Sequence, residues 1–398
     1  MNILWISLYP PLPLNFGGPV GIYKRLVELR KYNDIYLFYI NENNDELYDV
    51  ELSKLCKQVH SYHRNSIRSI DSIINLVRYP YTAATRFSKK MRDDICACIE
   101  NQKIDLINVE FPQMCINLKG IKERYGIPIV MHEHNNEWNR FLQMSKTVSG
   151  VKALLYRRES RLLYRMEREL VNKSMINHYT FLSDKDCENF AKEFSVNKER
   201  LSLVPLGADN TPLPQDSHLG KNIIFCAAMD SELNQEAVKW FINNVFPRIC
   251  EQVSNVTFYI VGREPSDDIK NMASDNIVVT GTVADLKEYY KMADVVVIPL
   301  LHGGGVKVKL LEAVGFDRNI VTTSVGIEGT SFDPNDQILV SDEAEEFASN
   351  CIRILIDKEY ANFLRMNTRK HYLDNYTWES IGEKYNLLMK RIKEQKEL

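Results

Sequence analysis

The stretch 293–314 constrains this chain more than any other. Ala293-Asp294-Val295-Val296-Val297-Ile298-Pro299-Leu300-Leu301 reads as a buried strand and His302-Gly303-Gly304-Gly305-Val306 as a glycine loop. Lys307-Val308-Lys309-Leu310-Leu311-Glu312-Ala313-Val314 then reads as a helix that opens on two lysines. Strand, glycines and helix in that order make a βα unit of a parallel sheet. They also make an anion site. The first N–H groups of a helix lack intrahelical partners, the helix dipole is positive there, and glycines let a ligand approach the backbone. Lys307 and Lys309 add charge where a diphosphate could sit, and Glu312 could accept hydrogen bonds from ribose hydroxyls. An ordinary βα turn with a solvated lysine face is the competing reading.

Similar units recur along the 398 residues. Strands are expected at 3–8, 35–40, 106–109 and 127–132, with a weaker one at 175–181. A second set falls at 222–227, 256–261, 277–280, 295–299 and 320–323. Helical periods at 21–31, 88–101, 234–251, 283–292, 307–314 and 343–355 alternate with them. This alternation predicts an α/β chain of two doubly wound, Rossmann-like domains facing a central cleft, with ligands at the carboxyl ends of the strands. Leu203-Val204-Pro205-Leu206-Gly207-Ala208-Asp209 and the following Thr211-Pro212-Leu213-Pro214 read as the linker. The expected division is 1–205, 206–375 and a closing helix at 376–398.

Several function classes are disfavoured. No run of eighteen apolar residues occurs, so no transmembrane helix is expected. Met1-Asn2-Ile3-Leu4-Trp5-Ile6 reads as a first strand and not as a signal peptide. Eight cysteines without a C-x-x-C pair suggest reduced thiols and a cytoplasmic location. His132, Glu133, His134 and Glu137 do not have H-E-x-x-H spacing, and no metal is expected. Residues 1–200 carry 30 Lys and Arg against 24 Asp and Glu, while the remainder carries 20 against 29. A basic first half suggests an anionic partner, and no nucleic-acid module is visible.

Further motifs carry a family resemblance. Phe258-Tyr259-Ile260-Val261-Gly262-Arg263, Val279-Thr280-Gly281-Thr282-Val283, the 293–313 unit and Val321-Thr322-Thr323-Ser324-Val325-Gly326-Ile327-Glu328-Gly329 resemble the donor half of family 4 retaining glycosyltransferases. Ala228-Met229-Asp230 with Asn234, Ala237 and Trp240-Phe241 is similar to the opening of that half. His134-Asn135-Asn136-Glu137 resembles a His-Asn-x-Glu motif of the first half, and Tyr376-Thr377-Trp378 the start of the last helix. The resemblance implies a GT-B fold whose last helix crosses back to the first domain. It implies a nucleotide-diphosphate-sugar donor, UDP- or GDP-linked, and a glycan or lipid-linked acceptor, with no cofactor. It assigns Lys307 and Lys309 to the departing diphosphate and Glu312 to the ribose. Asn234, Arg263, Gly281, Val283, Gly303, Gly304, Gly305 and Val306 fall on the donor side, with the Gly17-Gly18 loop approaching the phosphate. His134 falls to the donor sugar or acceptor, and Glu137 to an acceptor hydroxyl. For Gly17-Gly18, His134 and Glu137, a plain turn, a structural histidine and a helix cap are the alternatives.

Two departures stand out. The first glutamate of the family's paired-glutamate motif falls on Gly304, and the stretch 228–234 lacks the basic residues common there. The resemblance as a whole implies a retaining transferase of bacterial surface polysaccharide synthesis, and the departures keep a non-catalytic sugar-nucleotide-binding homologue as an alternative, beside a sugar-nucleotide 2-epimerase. The stretch 146–173 places Lys152, Arg157, Arg158, Arg161, Arg165 and Arg168 among Leu154, Leu155, Tyr156, Leu162, Leu163 and Tyr164. It reads either as a peripheral contact with the inner face of a membrane or as a packed helix paired through Glu159, Glu167 and Glu169.

Overall fold

The computed structural model describes residues 1–14, 17–42, 46–66, 69–214 and 221–395. It divides into two compact units, Met1–Pro205 with Ile381–Leu398, and Leu206–Ser380.

The first unit holds seven parallel strands: β1 (Asn2–Ser7), β2 (Asp34–Ile40), β3 (Gln58–Tyr62), β4 (Leu106–Glu110), β5 (Ile129–Glu133), β6 (His178–Phe181) and β7 (Leu201–Leu203). Their order is β3-β2-β1-β4-β5-β6-β7. Alternate residues feed two cores, one on each face. Leu4, Ile6, Phe38, Val109 and Met131 join one core, and Ile3, Trp5, Leu37, Leu106 and Val130 the other. Burial on both faces explains the continuous apolar runs. The edge strands β3 and β7 were not expected, because Gln58-Val59-His60-Ser61-Tyr62 and Leu201-Ser202-Leu203 are short and partly polar, as edges usually are.

The closing helix, Trp378–Glu394, places Ile381, Tyr385 and Met389 one turn apart in the second of these cores. Tyr385 donates to Asn108 Oδ1 of β4 at 2.5 Å, and Lys393 pairs with Asp105 at 2.8 Å. Gly382 is needed at the crossing with the helix Gly17–Leu29: a Cβ there would lie 2.4 Å from Glu28 Cβ.

The second unit holds β8 (Lys221–Cys226), β9 (Val256–Val261), β10 (Ile277–Gly281), β11 (Val295–Ile298), β12 (Ile320–Thr322) and β13 (Leu339–Val340), parallel in the order β10-β9-β8-β11-β12-β13. The helix expected at 234–251 is instead Glu232–Trp240, a π-helical turn Phe241–Val245, and Phe246–Gln252. Pro247 lacks an N–H and its ring crowds the preceding turn, which the π turn accommodates. The helix expected at 283–292 begins only at Lys287, whose N–H donates to Asp285 Oδ1 at 2.9 Å.

Each sheet is doubly wound and reverses its strand order once, between β1 and β4 and between β8 and β11. Ligands of such sheets bind beyond the carboxyl ends at these reversals. Among the described residues no helix is long and apolar enough to cross a membrane, and all eight cysteines are free thiols.

Candidate functional site

In the second unit, the loop after β11 and the helix after β8 meet at the reversal. The glycine loop lies against Leu233: a Cβ on Gly303 would stand 3.7 Å from its Cδ1. Gly303 and Gly305 have φ of 121° and 73°, which glycine tolerates and other residues resist. Among the described residues, the amides of Gly303, Gly304, Gly305 and Val306 have no hydrogen-bond partner within the chain. They lead directly into the helix Val308–Gly315, for which Lys307 stands at the N-cap.

The two lysines diverge. Lys307 Nζ folds back to donate to the Gly305 carbonyl at 2.6 Å and stands 4.0 Å from Glu328 Oε2. Within the second unit, Lys309 Nζ crosses to the neighbouring β8 and its following helix, donating to Asn234 Oδ1 at 2.7 Å and lying 5.0 Å from the centre of the Phe225 ring. Asn234 is held in turn by its own donation to the Ala228 carbonyl at 2.7 Å. Burial and then the nearby charge of Lys307 push the Lys309 ammonium down to about 8. Glu312, one turn further on, is half-buried and faces Tyr290, whose hydroxyl donates across 3.5 Å. Burial raises the Glu312 carboxyl above its ordinary range, against the opposing hydrogen bond of Tyr290.

The other expected donor residues lie further out. Arg263, beyond β9, forms an exposed pair with Asp230 at 3.4 Å. Gly281, with φ of 71°, ends β10, and Val283 follows in the next loop. None of the three bonds to Lys309, Asn234 or Glu312 among the described residues.

In the first unit, Gly17 and Gly18 open the helix Gly17–Leu29, whose Arg25 reaches the end of β4. Arg25 and Glu110 are both fully buried, and Arg25 Nη2 donates to both Glu110 oxygens at 3.0 and 2.9 Å. His134, just past β5, is buried with Nε2 2.6 Å from Glu110 Oε2, and its ring stacks on Phe111 at 4.1 Å. Burial opposes charge on Glu110, yet Arg25, His132 and His134 together hold its carboxyl well below the usual range. Phe111 has φ of 74°, a strained value for a residue with a side chain, of the kind that collects at functional sites. His132 Nδ1 meets Thr180 Oγ1 at 2.8 Å, and burial with Arg25 pushes its imidazole well below its ordinary value.

Ligand atoms of Glu110, His132 and His134 lie within 4.8 Å of one another, close enough for a cation. The guanidinium on both oxygens of Glu110 already supplies the opposing charge, so the residues fit a buried ion pair better than a metal centre. Glu137 is buried and accepts from Gln113 Nε2 at 3.0 Å and from Arg140 Nη2 at 3.1 Å. Its carboxylate is thus engaged within its own unit.

Sequence reasoning missed Arg25, Glu110 and Phe111. A glutamate closing the run Leu106-Ile107-Asn108-Val109, apolar but for Asn108, was the available signal.

Residues 220–357 match the family model described as Glycosyl transferases group 1. An uncharacterized 44.6 kDa protein in a cps region of Klebsiella pneumoniae is 22% identical over 399 residues, covering 96% of this chain and 97% of that protein. Sucrose-phosphate synthase from Thermosynechococcus elongatus superposes with a TM-score of 0.66 at 17% identity, covering 99% of both chains. Anabaena HepE in complex with UDP gives 0.65 at 12% identity, covering 98% of this chain and 100% of its own. The fold is GT-B, and these findings support a GT-B glycosyltransferase.

Proposed function

We propose that this chain transfers a sugar, with retention, from a nucleotide-diphosphate sugar to a glycan or lipid-linked acceptor in bacterial surface polysaccharide synthesis. One observation carries the reading. Four loop amides without a partner among the described residues run into a helix N-terminus beside two lysines, at the strand reversal of the second unit. Donors fixed in place before the reaction stabilise charge as it develops without reorganising. In the reaction, the bond between the anomeric carbon and the diphosphate oxygen breaks and negative charge builds on that oxygen. The loop amides, Lys307 and Lys309 meet this charge, and Glu312 receives the ribose hydroxyls. The acceptor oxygen bonds the anomeric carbon on the face the diphosphate leaves, and its proton passes to the departing phosphate. No protein nucleophile and no metal is required in this scheme. His134, held by Glu110 and Phe111, orients sugar or acceptor. The UDP bound by HepE favours a UDP-linked donor, and the cps-region relative favours a polysaccharide product.

The test is a thermal-shift panel of UDP, GDP, ADP, CMP and their sugar conjugates, with EDTA present. Ligand that binds only the folded chain raises the melting temperature by mass action. A selective rise with UDP or GDP conjugates, followed by release of nucleotide when acceptor is added, is the expected result. No rise with any nucleotide diphosphate would remove the donor site.

A further inference from the structure

One helix of the first unit is turned inside out. Ile70, Ile73, Ile74 and Val77 follow the i, i+3, i+4, i+7 spacing of a core-facing stripe, on and just beyond the helix Ile70–Leu76. All four are 54–84% exposed, and the helix buries Ser72 instead. The helix Gly150–Asn172 adjoins this stripe. Val151, Leu154 and Leu155 in its first two turns are 59–73% exposed. Arg158, one turn after Leu154, donates to the Leu76 carbonyl at 2.5 Å, closing the end of the shorter helix and tying it to the longer one.

The exposed face of the longer helix then becomes basic, through Arg157, Arg161 and Arg165. Its acids do not neutralise that face. Glu159 is buried and accepts from the Tyr81 and Thr82 amides at 2.7 and 2.8 Å, Glu167 is buried, and Glu169 pairs with Arg78 and Lys173. Among the described residues, Arg157, Arg161 and Arg165 have no carboxylate within salt-bridge distance. Asp71 is the only acid on the shorter helix.

We infer that this surface docks on an anionic lipid bilayer, the aliphatic stripe entering the acyl boundary and the arginines lying at the headgroups. An outward stripe of aliphatic residues beside unpaired cations fits a bilayer surface, where apolar burial and attraction to anionic lipid act together. Glu159 and Glu167 point inward and leave the arginine face without their charge, while Glu169 pairs with Lys173 at the far end of the helix. The inserting element is the separate helix Ile70–Leu76. Docking does not depend on sugar transfer and is read without an activity assay.

The test is co-sedimentation of the full chain with phosphatidylcholine vesicles, with and without phosphatidylglycerol. The wild-type chain should sediment with the anionic vesicles, leave them at high salt, and ignore the neutral ones. Arg157→Ser with Arg161→Ser should weaken binding on the order of thirtyfold. Ile73→Ser with Ile74→Ser should weaken it at least as much, with an unchanged circular dichroism spectrum and melting temperature. Absence of wild-type binding, equal binding to both vesicles, or undiminished binding by the isoleucine variant would overturn the proposal. So would a solution dimer that the isoleucine changes dissociate, since the stripe would then face a second copy.

Discussion

At the β1–β4 reversal, Glu110 is buried with Arg25 on both oxygens and His134 on one, whereas at the β8–β11 reversal four backbone amides have no partner among the described residues and lie beside Lys307 and Lys309. The same sheet topology thus carries two kinds of polar site. The first fixes a histidine ring by neutralising a buried carboxylate. The second leaves donors open for an anion. Stability should therefore depend more on the first site and diphosphate binding on the second.

The largest expected effect tests the first half of that contrast. Arg25→Met leaves Glu110 buried without its counter-charge, which should cost about 3–5 kcal/mol of stability. Urea unfolding measures it. A loss below about 1 kcal/mol would mean that water reaches Glu110 and that the pair is no more than a surface bridge. Lys309→Ala tests the other half. Turnover with a nucleotide-diphosphate sugar should fall on the order of 10²–10³-fold, as for removal of one preorganised donor at a developing charge. The urea midpoint should move little. Wild-type turnover in that variant would take Lys309 out of the site.

A smaller effect follows from the Lys309 ammonium at about 8. A diphosphate binds the protonated form better, so nucleotide affinity should fall as pH rises through about 8, at most about tenfold per pH unit. Lys309→Ala should flatten that part of the profile. Isothermal titration with the nucleotide diphosphate between pH 6.5 and 9.5 reads both. A wild-type profile flat across this range would place the lysine away from the phosphates.

The two sites also differ in how far the sequence reveals them. The 293–314 unit is legible because strand, glycines, lysines and Glu312 are neighbours in the chain, and local order dictates local geometry. The bond from Lys309 to Asn234 spans 75 residues and appears only when β8 and β11 lie side by side. Asn234 was legible through the family resemblance, but its role as the partner of Lys309 was not. Arg25 and Glu110 are 85 residues apart, and each reads alone as an ordinary charged residue. Their meaning comes from burial, which no local pattern encodes. The edge strands β3 and β7 escaped for a related reason: with little apolar surface to bury, they carry little periodic signal. The basic stretch 146–173 was legible in composition, but the direction of its acids, inward for Glu159 and Glu167, was not.

The smallest effect returns to the first unit and asks what happens to a buried acid there that lacks an arginine. Glu133, at the end of β5, and Glu167 are buried, and none of their four carboxylate oxygens has a hydrogen-bond partner among the described residues. Burial, then the surrounding carboxyls, raises both well above the ordinary carboxyl range, opposite to Glu110. In the unfolded chain these groups ionise near their usual value, about 4.3. Above that pH the unfolded chain binds fewer protons than the folded one, so stability falls as pH rises until the folded carboxyls have themselves ionised. Glu167→Gln keeps the shape of the protonated acid and removes its ionisation. The variant should melt close to wild type at pH 4 and above it at pH 8, with the gap widening between. A variant that melts lower at pH 8 would show that the Glu167 carboxylate is charged and compensated in the fold. The difference between the two buried acids would then lie in the identity of the partner and not in its presence.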